Sequence, residues 1–260
     1  KNARDRGGGD DLLRSMFPKH IAEALMNGEK PPEDKRECAT VFFCDIVGFT
    51  TLSSNLESHQ VSDMLDRLFM QFDSAAKRYG VYKIETIGDC YIGVTNLTES
   101  QVSDHVARMA HFALEAVKAA RATLVLPEKP SMGHVVIRVG FDSGPLVGSV
   151  VGTTNKKYTI FGNTVNTASR MESTGMPNCI QCTERAADLL RMQCSALEGS
   201  VTLTERGAVE VKGKGSMKTY FLQSVHVPGL EKSEEEESAT SSSEEEVEED
   251  MAADGEPSPL

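Results

Sequence analysis

The sequence has no apolar run approaching the roughly 20 residues of a membrane-spanning helix, and no signal-peptide pattern opens it. It also lacks a basic excess. Residues 231–260 hold 13 of the 39 acidic and 1 of the 27 basic residues, which leaves 26 of each in the remainder. That balance argues against a general nucleic-acid-binding surface, but not against a local basic pocket for a phosphorylated small molecule. The phosphate loop G-x-x-x-x-G-K-[ST] is absent. Cysteine is too sparse for a secreted disulfide scaffold: Cys38, Cys44, Cys90, Cys179, Cys182 and Cys194 are scattered through apolar segments. Cys179-Ile-Gln-Cys182 is a lone C-x-x-C without a second pair at zinc spacing, and in an alternating strand its sulfurs face opposite ways. These absences lead us to expect free thiols in a reducing cytoplasm, no nucleic-acid partner and no membrane contact from this fragment. The chain begins with Lys, not Met, so it reads as a piece of something longer.

What is present divides into four parts. Residues 1–11 are polar and glycine-rich and read as a flexible linker. Residues 12–35 read as a helix, restarted at Pro18 and ended by Asn27-Gly28, with Pro31-Pro32 as a stiff spacer. Residues 36–225 carry the domain proper. Residues 226–260 form a Glu/Ser-rich acidic tail, too poor in apolar residues to offset the entropy of ordering.

Within the domain, Val41–Thr50 is a β-favouring run that ends on Asp45 and breaks into Val-Gly-Phe-Thr. Helical apolar spacing follows over residues 60–79, two strands joined at Ile87-Gly88-Asp89 over 81–94, and a second helix over 102–124. Val135–Phe141 and Leu146–Val151 are expected to pair around Asp142-Ser143-Gly144-Pro145. Asn163–Ser173 reads as a short helix, 179–182 as a strand, 184–192 as a helix capped by Thr183, and 201–211 and 218–224 as strands. The order βαββαβ, with smaller C-terminal α/β elements, predicts an α+β domain built on a ferredoxin-like palm. Its sheet is expected to be mainly antiparallel, with the helices on one face.

Three constellations carry possible chemistry. Asp45 and Asp89 each stand where a strand gives way to a turn. Two carboxylates at neighbouring strand ends repel unless divalent cations lie between them, and hard oxygen ligands suit Mg²⁺ or Mn²⁺ completed by substrate phosphates; solvated loop acids are the plain alternative. Asn166 and Arg170 stand four apart on one helix face, where an amide and a guanidinium could hold ribose and phosphate, or simply face solvent. Val211-Lys212-Gly213-Lys214-Gly215 is a basic glycine-flanked turn that an anion could approach.

Phe42–Thr50, Lys83–Asp89, Arg138-Val139-Gly140, Asn163–Gly175 and Val211–Gly215 occur in that order, and together they resemble the catalytic domain of class III nucleotidyl cyclases, most like a eukaryotic guanylate cyclase. The resemblance covers about residues 36–225, and the helix from Leu12 is similar to the dimerising, signalling segment that precedes such domains. It implies a head-to-tail homodimer with two sites at the interface, and an upstream regulatory domain that has been removed. One subunit would give Asp45, Asp89 and the Ile46 carbonyl to two Mg²⁺ or Mn²⁺ ions per site, wrap the triphosphate with Val47, Gly48, Phe49 and Thr50, and touch phosphate through Arg138. The other would give Glu85 and Thr159 to the base, Asn166 to the ribose, Arg170 to the α-phosphate and Lys214 to the terminal phosphates.

Glu85 points to the purine. The Watson–Crick edge of guanine offers two donors, which an ionised carboxylate can accept together, whereas adenine presents an acceptor at N1. Adenylate cyclases resembling this chain usually carry Lys there. Thr159 departs from the pattern, since many guanylate cyclases have Cys and many animal adenylate cyclases Asp; its hydroxyl serves either purine. The implied activity is conversion of GTP to cyclic GMP and pyrophosphate. The alternatives are an adenylate cyclase with atypical base contacts and a catalytically silent nucleotide-binding or dimerisation module.

Overall fold

The computed structural model describes residues 11–194 and 201–224. The expected linker up to residue 10 and the acidic tail lie outside them. Residues 11–16 are helical, and α1 (Lys19–Met26) restarts after Pro18, as its fixed φ favours. Then come β1 (Asp34–Ile46), α2 (Phe49–Ser54), α3 (Ser58–Tyr79), β2 (Tyr82–Ile87), β3 (Cys90–Thr95), α4 (His105–Ala122), β4 (Ile137–Val151), β5 (Lys157–Phe161), α5 (Asn163–Ser173), β6 (Ile180–Thr183), α6 (Glu184–Cys194), β7 (Val201–Val211) and β8 (Gly215–Ser224).

The sheet runs β2-β3-β1-β4-β6-β8-β7, with β5 paired to β4 off that path. Its first four strands are antiparallel neighbours in the ferredoxin-like order, and only β4–β6 is parallel. Residues i and i+1 of a strand face opposite ways, so β1 sends Phe42 and Cys44 to one side and Val41 to the other. On the first side, Phe42, Phe72 of α3, Tyr91 and Phe112 of α4 interlock edge-on, with Phe42–Phe112 centroids 4.9 Å apart and Phe72–Tyr91 5.4 Å apart. Each buried ring contributes roughly 1.5–3 kcal/mol by leaving water. The second side is not bare as expected: Ile21 and Ala22 of α1 and Ala168 of α5 pack there against Val41, Val94 and Leu146. An apolar stripe shows that a helix packs but not on which face, which is why the one-sided expectation fails.

A second correction concerns β4. Residues 137–151 form one continuous strand and not a hairpin around Gly144-Pro145. Its partner β1 shifts register between Arg36 and Ala39, opposite this point, so Pro145, which has no N–H to give, falls at an irregularity in the ladder. Asp142, buried in mid-strand, accepts a bond from Thr183 Oγ1 at 2.6 Å and pairs with Arg185 at 2.8 Å. The basic turn at 212–214 joins β7 to β8, with Val211 paired to Gly215. Thr183 caps α6 through a bond from the Ala186 amide, as expected.

Candidate active site

The sheet ends decide what meets what. β1 and β4 place Asp45 directly opposite Arg138, and the β2–β3 turn, with Gly88 at φ +63, brings Asp89 to the same end. There the Ile46 amide donates to Asp89 Oδ2 at 3.1 Å, so the Asp89 carboxyl is anchored one residue from Asp45. Burial, and then the hydrogen bond and charge of Asp45, push the Asp89 carboxyl up to about 7. Two acids forced together at this cost form the donor set a hard divalent cation relieves. Among the described residues no three His, Cys, Asp or Glu side chains cluster to hold an ion. Two carboxylates and the Ile46 carbonyl fit such an ion only with substrate oxygens filling its shell.

Arg138 is held from two sides. Its Nε donates to Glu172 Oε1 at 3.0 Å, and its Nη2 lies 3.5 Å from Asp45 Oδ2. Burial raises the pKa of Glu172, against the lowering pull of Arg138. Sequence reasoning assigns Glu172 no role. The available signal was an acid beside Met171 on the buried side of a short helix. Cys90, at the same strand end, is pushed up to about 12, chiefly by burial and then by Asp45, so its thiol stays protonated and is no nucleophile.

The chain after Asp45 is tighter than an open turn. Val47 and Gly48 make the bend, Gly48 at φ +71, and Phe49 and Thr50 already belong to α2. The Val47 amide donates to the Val136 carbonyl at 2.8 Å. The amides of Phe49 and Thr50, in the first helical turn, have no intrahelical acceptor.

The remaining predicted residues stand apart from the acids. No hydrogen bond or ion pair joins Glu85, Thr159, Asn166, Arg170 or Lys214 to Asp45, Asp89 or Arg138. Thr159 pairs with Ser149, far along β4 from Arg138. The side chains of Thr159, Asn166 and Arg170 make no hydrogen bond or ion pair among the described residues. Lys214 Nζ, on the β7–β8 turn, donates to Asn163 Oδ1.

Glu85 does not pair with Lys83, as simple alternation would allow. The β2–β3 register slips between these two residues, so they face opposite sides of the sheet. Lys83 turns to Asp73, at 2.9 Å, and over the Tyr91 ring. Glu85 turns to the α5 side, where Lys157 Nζ of β5 lies 3.6 Å away. Beside it Tyr158 donates to Asp34 and meets Tyr82 edge-on, tying β5 to the β1–β2 framework. A cavity of about 600 Å³ between α3 and the 126–128 loop, lined by His59, Asp63, Asp66, Arg67 and Glu128, contains none of these residues.

This palm, with paired acids at the end of β1 and an Asn/Arg helix on the same side of the sheet, defines a nucleotidyl-cyclase type of catalytic domain. Residues 32–224 match the family model of the adenylate and guanylate cyclase catalytic domain, and the chain belongs to that family. Human retinal guanylyl cyclase 1 is 41% identical over 215 residues, which cover 82% of this chain and 19% of that protein; the chain thus spans about a fifth of its length. Among solved structures, the guanylate cyclase domain of RhGC from Catenaria anguillulae in complex with GTP is 37% identical, with a TM-score of 0.65 over 74% of this chain and 98% of that one. The adenylyl cyclase CyaB from P. aeruginosa is 25% identical, with a TM-score of 0.63 over 75% and 97%. Among the described residues no helix is long and apolar enough to cross a membrane.

Proposed function

We propose that the chain converts GTP to 3′,5′-cyclic GMP and pyrophosphate at two sites shared across a head-to-tail homodimer, in the cytoplasm and under an upstream regulatory domain. The observation that carries the reading is the convergence of Asp45 and Asp89 at adjoining strand ends, Asp89 bonded to the amide next to Asp45 and Arg138 paired with Asp45. The likeness to a guanylate cyclase domain solved with GTP supports the choice of nucleotide.

In this reading Asp45, Asp89 and the Ile46 carbonyl would hold two Mg²⁺ or Mn²⁺ ions, which would lower the pKa of the ribose 3′-hydroxyl and neutralise charge on the triphosphate. Gly48, Phe49 and Thr50 present main-chain amides to the phosphates, while Val47 shapes the bend with its own amide already bonded. Arg138 contacts phosphate with the N–H groups that Glu172 and Asp45 leave free. From the second copy, Asn166 orients the ribose, Arg170 meets the charge that builds on the α-phosphate oxygens, and Lys214 receives the departing pyrophosphate. The 3′-oxygen attacks the α-phosphorus in line, and its proton goes to water or to Asp45.

Glu85 accepts from N1–H and the 2-amino group of guanine, and Thr159 donates to O6. Lys157 Nζ, 3.6 Å from Glu85, flanks it from β5. An edge-reading site of this type rejects the wrong purine because its polar groups are left unpaired. Purified protein supplied with GTP or ATP, and with Mg²⁺ or Mn²⁺, should make cyclic GMP from GTP. Cyclic AMP as the main product would sink the choice of purine. No product from either nucleotide would favour a silent binding module.

A further inference from the structure

We propose that Glu172 is a positioning residue for Arg138: its carboxylate holds the guanidinium off Asp45 and aims its free edge at the polyphosphate. The inference rests on the cyclase reading above. Glu172 is 7% exposed, on the last turn of α5, and accepts from Arg138 Nε at 3.0 Å, shorter than the 3.5 Å between Arg138 Nη2 and Asp45. Nη1 has no partner among the described residues. The two backbones that carry the pair are in contact. A Cβ at Gly140, two residues from Arg138 on β4, would overlap the backbone nitrogen of Glu172, so α5 lies flat on the strand at this point. Below it, Gln181 of β6, paired with Gly140, donates to Thr174 Oγ1 at 2.9 Å, and Thr174 in turn donates to the Arg170 carbonyl at 2.7 Å. The end of α5 is therefore fixed, and Glu172 with it.

Guanidinium groups prefer a two-bond fork with a carboxylate. Were Glu172 missing, the carboxylate left opposite Arg138 would be Asp45. A closed Arg138–Asp45 fork would occupy the oxygens expected to bind the cation, and turn the free N–H groups away from phosphate. Engaging Nε from the buried side prevents that closure and leaves Asp45 with only the single long contact at 3.5 Å.

The test compares wild type with Glu172→Gln, Glu172→Asp, Arg138→Ala and the Arg138→Ala/Glu172→Gln double variant. It measures kcat and KM for GTP, half-saturating Mg²⁺, calorimetric binding of Mg²⁺–pyrophosphate, and Tm. Glu172→Gln should raise KM, weaken pyrophosphate binding about tenfold and raise the Mg²⁺ requirement, with a smaller fall in kcat. Glu172→Asp should recover most of this, and the double variant should be no worse than Arg138→Ala alone. Equal losses in Tm with KM, pyrophosphate binding and Mg²⁺ requirement unchanged would overturn the proposal, as would additive effects in the double variant. Wild type that binds pyrophosphate but makes no cyclic nucleotide would sink the cyclase reading only, because the binding comparison still tests Glu172.

Discussion

The two halves of the candidate site are built differently. At the end of β1, Asp45, Asp89, Arg138 and Glu172 are half or fully buried; Arg138 is paired with Asp45 and Glu172, and Asp89 accepts from the Ile46 amide. Among the described residues the side chains of Thr159, Asn166 and Arg170 make no hydrogen bond or ion pair, and that of Lys214 bonds to Asn163. A buried polar group must be paired where it stands, whereas one reserved for a ligand must stay free until that ligand arrives. In the proposed reading the first half is a preorganised receptor for a cation and phosphate, and the second a surface that works on something held by another copy.

The largest effect should come from the preorganised half. Asp45→Ala should lower turnover by roughly 10³-fold and leave the dimer unchanged on a sizing column; loss of the dimer would mean that the strand end does structural work instead. Next comes the open half. Glu85→Lys with Thr159→Asp should shift the GTP-to-ATP ratio of kcat/KM by about 10²-fold toward ATP. Unchanged selectivity would remove both residues from the base pocket.

A smaller effect tests the strain between the acids. The Asp89 carboxyl is raised to about 7 in the folded chain, from an ordinary 3.8. A carboxyl raised in this way favours the folded state below pH 3.8, and the advantage disappears as pH climbs through 7. Asp89→Asn should therefore raise the Tm of the metal-free protein at pH 8 by about 3 °C, and should make little difference near pH 4. Mg²⁺ should raise the Tm of wild type but not of this variant. A variant less stable than wild type at pH 8 without metal would show that the acids are not in conflict.

Much of this was legible in the sequence because it is local. Asp45 and Asp89 announce themselves as acids where apolar runs break into turns, and Asn166 and Arg170 by helical spacing. The failures share a cause: each depends on a partner distant in the chain. Gly144-Pro145 looks like a turn until the β1 irregularity between Arg36 and Ala39 is seen opposite it. Glu172 lies 34 residues from Arg138, and only the flat packing of α5 on Gly140 joins them.

The central claim is that one site needs residues from two copies, and mixing inactive chains tests it most directly. Asp45→Ala and Arg170→Ala, each inactive alone, would be combined after exchange of subunits. Half of the dimers would then be mixed, each with one intact and one doubly damaged site, so about a quarter of wild-type activity should return. If the mixture stays as inactive as its parts while subunit exchange is verified, Asp45 and Arg170 serve the same chain and the shared-site account is wrong.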